Sequence, residues 1–185
     1  RVRKDFVGNL RVDGGNCFVT PDNNKIGTDF YIPKDKLNGA NKGDKVLVPA
    51  ITWPTQIWSI IQAGLEPVLF DCDIDNFNPC IESVPTKILK DCKCIFTTHI
   101  LGTCANLEKL RDVCEDYKLI LIEDACESLG CKFSGKQVGT FGELGTFSSF
   151  FSHHITTMEG GMICTNNEDL ELQVRLMRAH GWSRA

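Results

Sequence analysis

Two adjacent histidines, His153 and His154, stand in the stretch GTFSSFFSHHITTMEGGMICT (residues 145–165), between an aromatic, strand-like run and a Gly-Gly turn. Imidazole titrates near neutrality, so a histidine placed there suits general-base chemistry at physiological pH. The alternative is a pair of ordinary loop histidines. Carboxylates gather elsewhere: Glu123 and Asp124 end the run LILI, and Glu127 follows three residues on. His99 closes CIFTT, while Thr52 and Trp53 follow VLVPA. Each residue also has a purely structural reading: a helix cap for Asp124, a satisfied loop histidine for His99, a core aromatic for Trp53. Taken together they outline a cleft with an aromatic face, a carboxylate and imidazoles.

Strands and helices must bring these residues together. From residue 45 onward the pattern repeats: an apolar run, turn residues, then a helical period. KVLVPA (45–50) reads as a short buried strand, and TQIWSIIQAG (55–64) as a helix ended by Gly64. PVLFDCD and CIFTTHI (94–100) are further strands. NLEKLRDVCEDY (106–117) places Leu107, Leu110, Val113 and Cys114 on one helical face behind Asn106 as N-cap. LILIEDA (119–125) is a fully buried strand, GTFSSFF and GMICT are two more, and EDLELQVRLMRAHG (168–181) is a helix. Continuous apolar strands alternating with amphipathic helices predict an α/β fold, a three-layer, mostly parallel sheet covered on both faces. In such sheets ligands collect at the carboxyl ends of the strands, where the polar residues above fall. Residues 1–43, rich in Gly, Asn and Asp and without a sustained period, predict an irregular N-terminal segment, and 44–185 form the domain.

Composition bounds the function. The chain has 185 residues, 42% hydrophobic and 24% charged, with a net charge of −4. Lysines and arginines are scattered rather than clustered, which argues against nucleic acid and against an anionic membrane surface as partners. No run approaches the length of a membrane span and the N-terminus lacks a signal-peptide core, so the expected location is cytoplasmic. The ten cysteines occur singly, apart from Cys92 and Cys94, and no Cys/His set has zinc spacing. They read as reduced, buried small hydrophobes, with no metal site expected. The chain begins with Arg and stops directly after a helical pattern, which suggests a fragment.

The order of motifs resembles the DegT family of sugar-nucleotide aminotransferases and dehydratases, fold-type I enzymes that use pyridoxal 5'-phosphate (PLP). The shared pieces are GDKVLVPAITW, AGLEPVLFDCD, THILGTCANLEKL, LILIEDACESLG, GKQVGTFGELGTFSSFF and EGGMICT, over residues 43 to 184. The resemblance implies that Asp124 pairs with the pyridine nitrogen of the cofactor, that Trp53 lies against its ring and that Ser148 binds its phosphate. Ser149 stands where the family usually has an aromatic, so either hydroxyl is a candidate. Glu127 occupies a position where the aminotransferases carry Gln or His, and a carboxylate there would meet the ring or the substrate.

The resemblance also gives the histidines a meaning. Five residues after the serine, the aminotransferases have the lysine that forms a Schiff base with PLP; here that position is His153. Imidazole forms no stable Schiff base but can act as a base. The stretch His-His-Ile-Thr followed by Glu-Gly-Gly is similar to the branch that removes the carbon-3 hydroxyl of a 4-keto-6-deoxy sugar nucleotide. The expectations are therefore PLP-dependent 3-dehydration with His153 as general base, glutamate as amino donor, and a homodimer when full length. The family's C-terminal small domain would lie beyond residue 185. The rivals are an aminotransferase with a non-lysine base and an inactive relative that retains the fold.

Overall fold

The computed structural model describes residues 41–178 throughout and, before them, the backbone of three strands: β1 (Gly8–Asp13), β2 (Asn16–Pro21) and β3 (Phe30–Ile32). These form an antiparallel sheet in the order β1-β2-β3. Reading residues 1–43 as irregular therefore needs correction at these positions. The signal was a weak one: Leu10 and Val12, then Cys17 and Val19, alternate with polar residues on either side of Gly14-Gly15, which is a hairpin pattern. The surrounding Gly, Asn and Asp concealed it.

The main sheet has six strands: β4 (Lys45–Pro49), β5 (Glu66–Phe70), β6 (Cys92–Thr98), β7 (Ile120–Asp124), β10 (Leu144–Ser148) and β11 (Gly161–Cys164). Their order is β11-β10-β7-β6-β4-β5. All neighbours are parallel except β10 and β11. A small hairpin, β8 (Lys132–Phe133) with β9 (Lys136–Gln137), projects between β7 and β10. The helices are α1 (Pro54–Gln62), α2 (Thr86–Asp91), α3 (Leu107–Tyr117) and α4 (Glu168–Arg178). The six-residue α2 is too short for periodicity to reveal.

Side-chain alternation along the strands explains the layers. On β4, Val46 and Val48 join Ile60 of α1 and Cys94 in one cluster, whereas Leu47 joins Ile95, Leu121, Leu107, Leu110 and Cys114 in the larger one. Thus α1 covers one face and α3 the other, the three-layer arrangement expected for strands apolar on both sides. Leu107 and Leu110 are fully buried, each worth roughly 2 kcal/mol of transfer free energy. Asn106 caps α3 by accepting the Lys109 N–H at 3.1 Å, and Lys118 ends it in the left-handed region at φ 56.

Candidate active site

The parallel register places Thr98, Asp124 and Thr146 side by side across β6, β7 and β10. Their row lies at the carboxyl ends of the strands, on the α1 face. A cleft of about 640 Å³ opens there; Trp53, Asp124, Glu127, Ser148 and His153 all line it. These five residues span a hundred positions of sequence, and the crossovers of a parallel sheet bring them to one edge.

Asp124 sits on the floor. Its Oδ1 accepts the Cys126 N–H at 3.0 Å and lies 3.4 Å from Thr146 Oγ1. Its carbonyl accepts the His99 N–H at 2.8 Å, so the β7 end is tied to the β6 end. Burial, helped by the Asp124 carboxylate, pushes the Cys126 thiol up to about 12. The thiol is therefore neutral and cannot compete as an anion beside Asp124.

Trp53 is the N-cap of α1, followed by Pro54 at the first helical position. It is 64% exposed, which removes the core-aromatic reading and leaves an indole face available at the rim. Beside it lies a polar network in which the strand-end residue Thr52 is joined by Thr98 and Gln56, neither of which has a signal of its own in the sequence. Thr98 Oγ1 donates to Gln56 Oε1 at 2.7 Å, Thr52 Oγ1 bonds the same oxygen and lies 2.8 Å from Thr98 Oγ1, and Gln56 Nε2 donates to the Phe96 carbonyl at 3.0 Å. The available signal was Thr52 and Gln56 one helical turn apart beside Trp53.

The two serines separate cleanly. Ser148 lines the cleft and its Oγ accepts the Phe150 N–H at 3.1 Å. Ser149 instead holds the following loop: its Oγ pairs with Thr157 Oγ1 at 2.8 Å, its N–H donates to the Gly160 carbonyl and its carbonyl accepts the Thr157 N–H. A Cβ at Gly160, where φ is +153, would lie 2.6 Å from Ser149 Oγ and 2.9 Å from Thr157 Oγ1. The first glycine of Glu-Gly-Gly thus closes the loop that carries the histidines. Within it the His153 N–H donates to the Phe150 carbonyl at 3.0 Å, and the His153 ring meets Phe150 edge-on at 6.4 Å. His153 lines the cleft; His154 is exposed and does not.

Glu127 binds the wall segment 100–102 as well as facing the cleft. Its Oε2 accepts the Leu101 N–H at 3.1 Å and its carbonyl accepts the Gly102 N–H at 3.0 Å. His99 and Glu123, by contrast, belong to the α3 face, fully buried. His99 Nδ1 accepts the Ala105 N–H at 3.2 Å, so the proton sits on Nε2, 3.0 Å from Glu123 Oε2. Glu123 also accepts from Gly139, Phe141 and Gly142 N–H at 2.8, 2.6 and 2.7 Å. Burial pushes the Glu123 carboxyl up, but the bonds from His99, Gly142 and Gly139 outweigh it and hold the group below its ordinary value. His99 is thus a satisfied structural histidine.

A model of the DegT/DnrJ/EryC1/StrS aminotransferase family matches residues 36–185. The chain belongs to this family. Among DegT-family relatives, GDP-4-keto-6-deoxy-D-mannose 3-dehydratase of Escherichia coli O55:H7 is 42% identical over 155 residues, 84% of this chain and 39% of the relative. GDP-perosamine synthase of Vibrio cholerae is 38% identical over 130 residues, 70% of this chain and 35% of the relative. A crystal structure of GDP-4-keto-6-deoxymannose 3-dehydratase with a trapped PLP–glutamate geminal diamine superposes with a TM-score of 0.71 at 41% identity, covering 77% of this chain and 37% of that one. The chain therefore spans about two fifths of the length of these DegT-family proteins. A second model, the Ribonuclease B OB domain, matches residues 12–54.

Proposed function

We propose that this chain supplies the cofactor-holding part of a PLP-dependent enzyme that removes the carbon-3 hydroxyl from a 4-keto-6-deoxy sugar nucleotide, GDP-linked as in the E. coli relative. The observation that carries the proposal is His153, which lines the cleft with Trp53, Asp124 and Ser148, while among the described residues no lysine does. A lysine would offer an amine for covalent capture and for returning the proton to the sugar; an imidazole offers only a base.

The residues present suit PLP. When bound, PLP supplies a protonated ring that accepts electron density from the reacting carbon. Asp124, anchored through Oδ1 by the Cys126 N–H, would hold the proton on the ring nitrogen. The exposed indole of Trp53 would cover one ring face. Ser148 Oγ already accepts the Phe150 N–H, so its hydroxyl proton is left to donate to a phosphate oxygen. Glu127, with Oε2 held by Leu101, would meet the ring or the sugar through its other oxygen. His153 would take up the proton whose removal drives loss of the hydroxyl.

Glutamate is the proposed amino donor, in keeping with the PLP–glutamate adduct of the solved relative. The full-length protein is proposed to be a cytoplasmic homodimer. Trp58 and Ile61 on α1 and Leu69 on the edge strand β5 are 60%, 47% and 61% exposed, an apolar surface that suits a second subunit. Full-length protein incubated with a GDP-linked 4-keto-6-deoxy sugar, PLP and glutamate should release a 3-deoxy product. An amino sugar would instead make it an aminotransferase, and no turnover would make it an inactive relative.

A further inference from the structure

We propose, on the reading of the cleft as a PLP site, that Gln56 is a positioning residue: from behind the cleft wall it fixes Trp53 relative to Asp124, so that the indole and the carboxylate meet one ring. Gln56 is 3% exposed and lies one turn before Ile60 on the face of α1 that packs on the sheet. A leucine there would pack beside Ile60 with no polar demand, whereas a buried glutamine needs its amide hydrogen-bonded to offset the desolvation. The Phe96 carbonyl can only accept, so it fixes the amide with Nε2 toward β6, 3.0 Å away, and Oε1 toward Thr52 and Thr98. Both threonines line the cleft.

The bonds of Gln56 reach both halves of the site. Toward α1, its backbone N–H donates to the Trp53 carbonyl at 3.0 Å and its Oε1 holds the Thr52 hydroxyl, so the indole-bearing residue and the one before it are both tied to Gln56. Trp53 is exposed and makes no side-chain cap bond, so its backbone is what places the ring. Toward the sheet, Thr98 stands opposite Asp124 in the register of β6 with β7, and the next residue, His99, donates its N–H to the Asp124 carbonyl at 2.8 Å. The register of β4 with β6 runs to Leu47 and Ile95, and β4 ends in Pro49, which has no N–H to offer. Beyond that point the Gln56 side chain carries the link from the start of α1 to β6. Thr52 Oγ1, Thr98 Oγ1 and Gln56 Oε1 lie in mutual contact with two hydroxyl protons among them, and both protons are used within the group, which holds it as a unit. Without the glutamine oxygen the hydroxyls would be free to turn toward the cleft, and the first turn of α1 would lose its side-chain tie to the strand beside Asp124.

The test is fluorine NMR of the full-length protein labelled with fluorotryptophan, the Trp53 signal being assigned by its loss in Trp53→Phe, together with a PLP titration followed by absorbance. Gln56→Leu keeps apolar packing and removes the amide. Its circular dichroism should be unchanged, its Trp53 signal should change in position or width before any cofactor is added, and its PLP dissociation constant should rise about tenfold. In a Trp53→Ala background the same change at Gln56 should alter that constant by less than about twofold, because no indole is left to place. An unchanged Trp53 signal or unchanged PLP affinity in folded Gln56→Leu would overturn the proposal. So would equal losses of affinity with and without the Trp53 indole, which would make Gln56 a packing residue only. A parent protein that does not bind PLP would overturn the reading of the cleft instead, and the Trp53 signal would then decide the role of Gln56 by itself. If Gln56→Leu does not fold, Thr98→Val, which removes one hydroxyl from Gln56 Oε1, should change the Trp53 signal in its place, and an unchanged signal there would overturn the proposal.

Discussion

Glu123 and Asp124 are neighbours in the chain and serve opposite faces of the sheet. Glu123 is fully buried on the α3 side, holding His99 and three backbone N–H groups, while Asp124 lines the cleft on the α1 side. The strand's period of two gives one carboxylate a structural task and leaves the other for chemistry.

Glu123→Gln should destabilise the fold. Four donors lose a charged acceptor in a fully buried site, a loss on the order of 3 kcal/mol, visible as a fall of several degrees in melting temperature. The pH dependence has a definite sign. Because the folded carboxyl is held below its ordinary value, its stabilisation is complete above about pH 4.3 and is lost as pH falls from there through the folded pKa. Urea midpoints measured between neutral and acid pH should show this slope in the parent and a weaker one in Glu123→Gln.

Asp124→Asn should behave in the opposite way. Size and the Oδ1 contact are kept, so circular dichroism and melting should change little, while turnover of the full-length protein should fall on the order of 10²-fold or more through loss of the charge proposed to face the ring nitrogen. Steady-state kinetics on a normally folded Asp124→Asn protein decide the point, and normal turnover would remove Asp124 from the site.

Gly160→Ala should disturb the histidine loop without unfolding the domain. The added methyl meets the Ser149 and Thr157 hydroxyls in a left-handed backbone region, at a cost of about 1–3 kcal/mol locally. Proteolysis within residues 149–160 should become faster and activity should fall, with the far-UV spectrum unchanged. A variant with parental activity and protease resistance would show that this glycine is not what closes the loop.

Much of this arrangement was legible in the sequence, for identifiable reasons. β4, β6 and β7 are short apolar runs between turn residues, and α3 combines a clear apolar face with a capping asparagine, so pattern alone located them. Trp53, Asp124 and Ser148 stand directly after or at the ends of such strands, where an α/β sheet places its ligands. Pattern could not show which face a strand-end residue serves. His99 and Asp124 both end strands, yet one fills the α3 side and the other the cleft. Gln56 escaped notice because a buried glutamine within an apolar helix has no signature of its own, and β1-β2 was hidden by the polar composition around a Gly-Gly pair.

Cofactor attachment should be reversible. With His153 in the cleft and no lysine lining it among the described residues, borohydride reduction of the PLP-loaded full-length protein should leave its intact mass unchanged, and dialysis should remove the cofactor. A pyridoxyl group fixed to Lys132, Lys136 or another lysine would contradict the assignment of the site.

The most direct test of the central claim is product analysis of position 153 variants in the full-length protein, with a GDP-linked 4-keto-6-deoxy sugar, PLP and glutamate. His153→Asn should retain the cofactor and lose 3-dehydration by about 10²- to 10⁴-fold, the usual cost of a general base. His153→Lys should also lose dehydration and should capture PLP covalently, giving a new absorbance band and a mass increment after reduction. Formation of 3-deoxy product at the parental rate by His153→Lys would contradict the account and direct attention to His154.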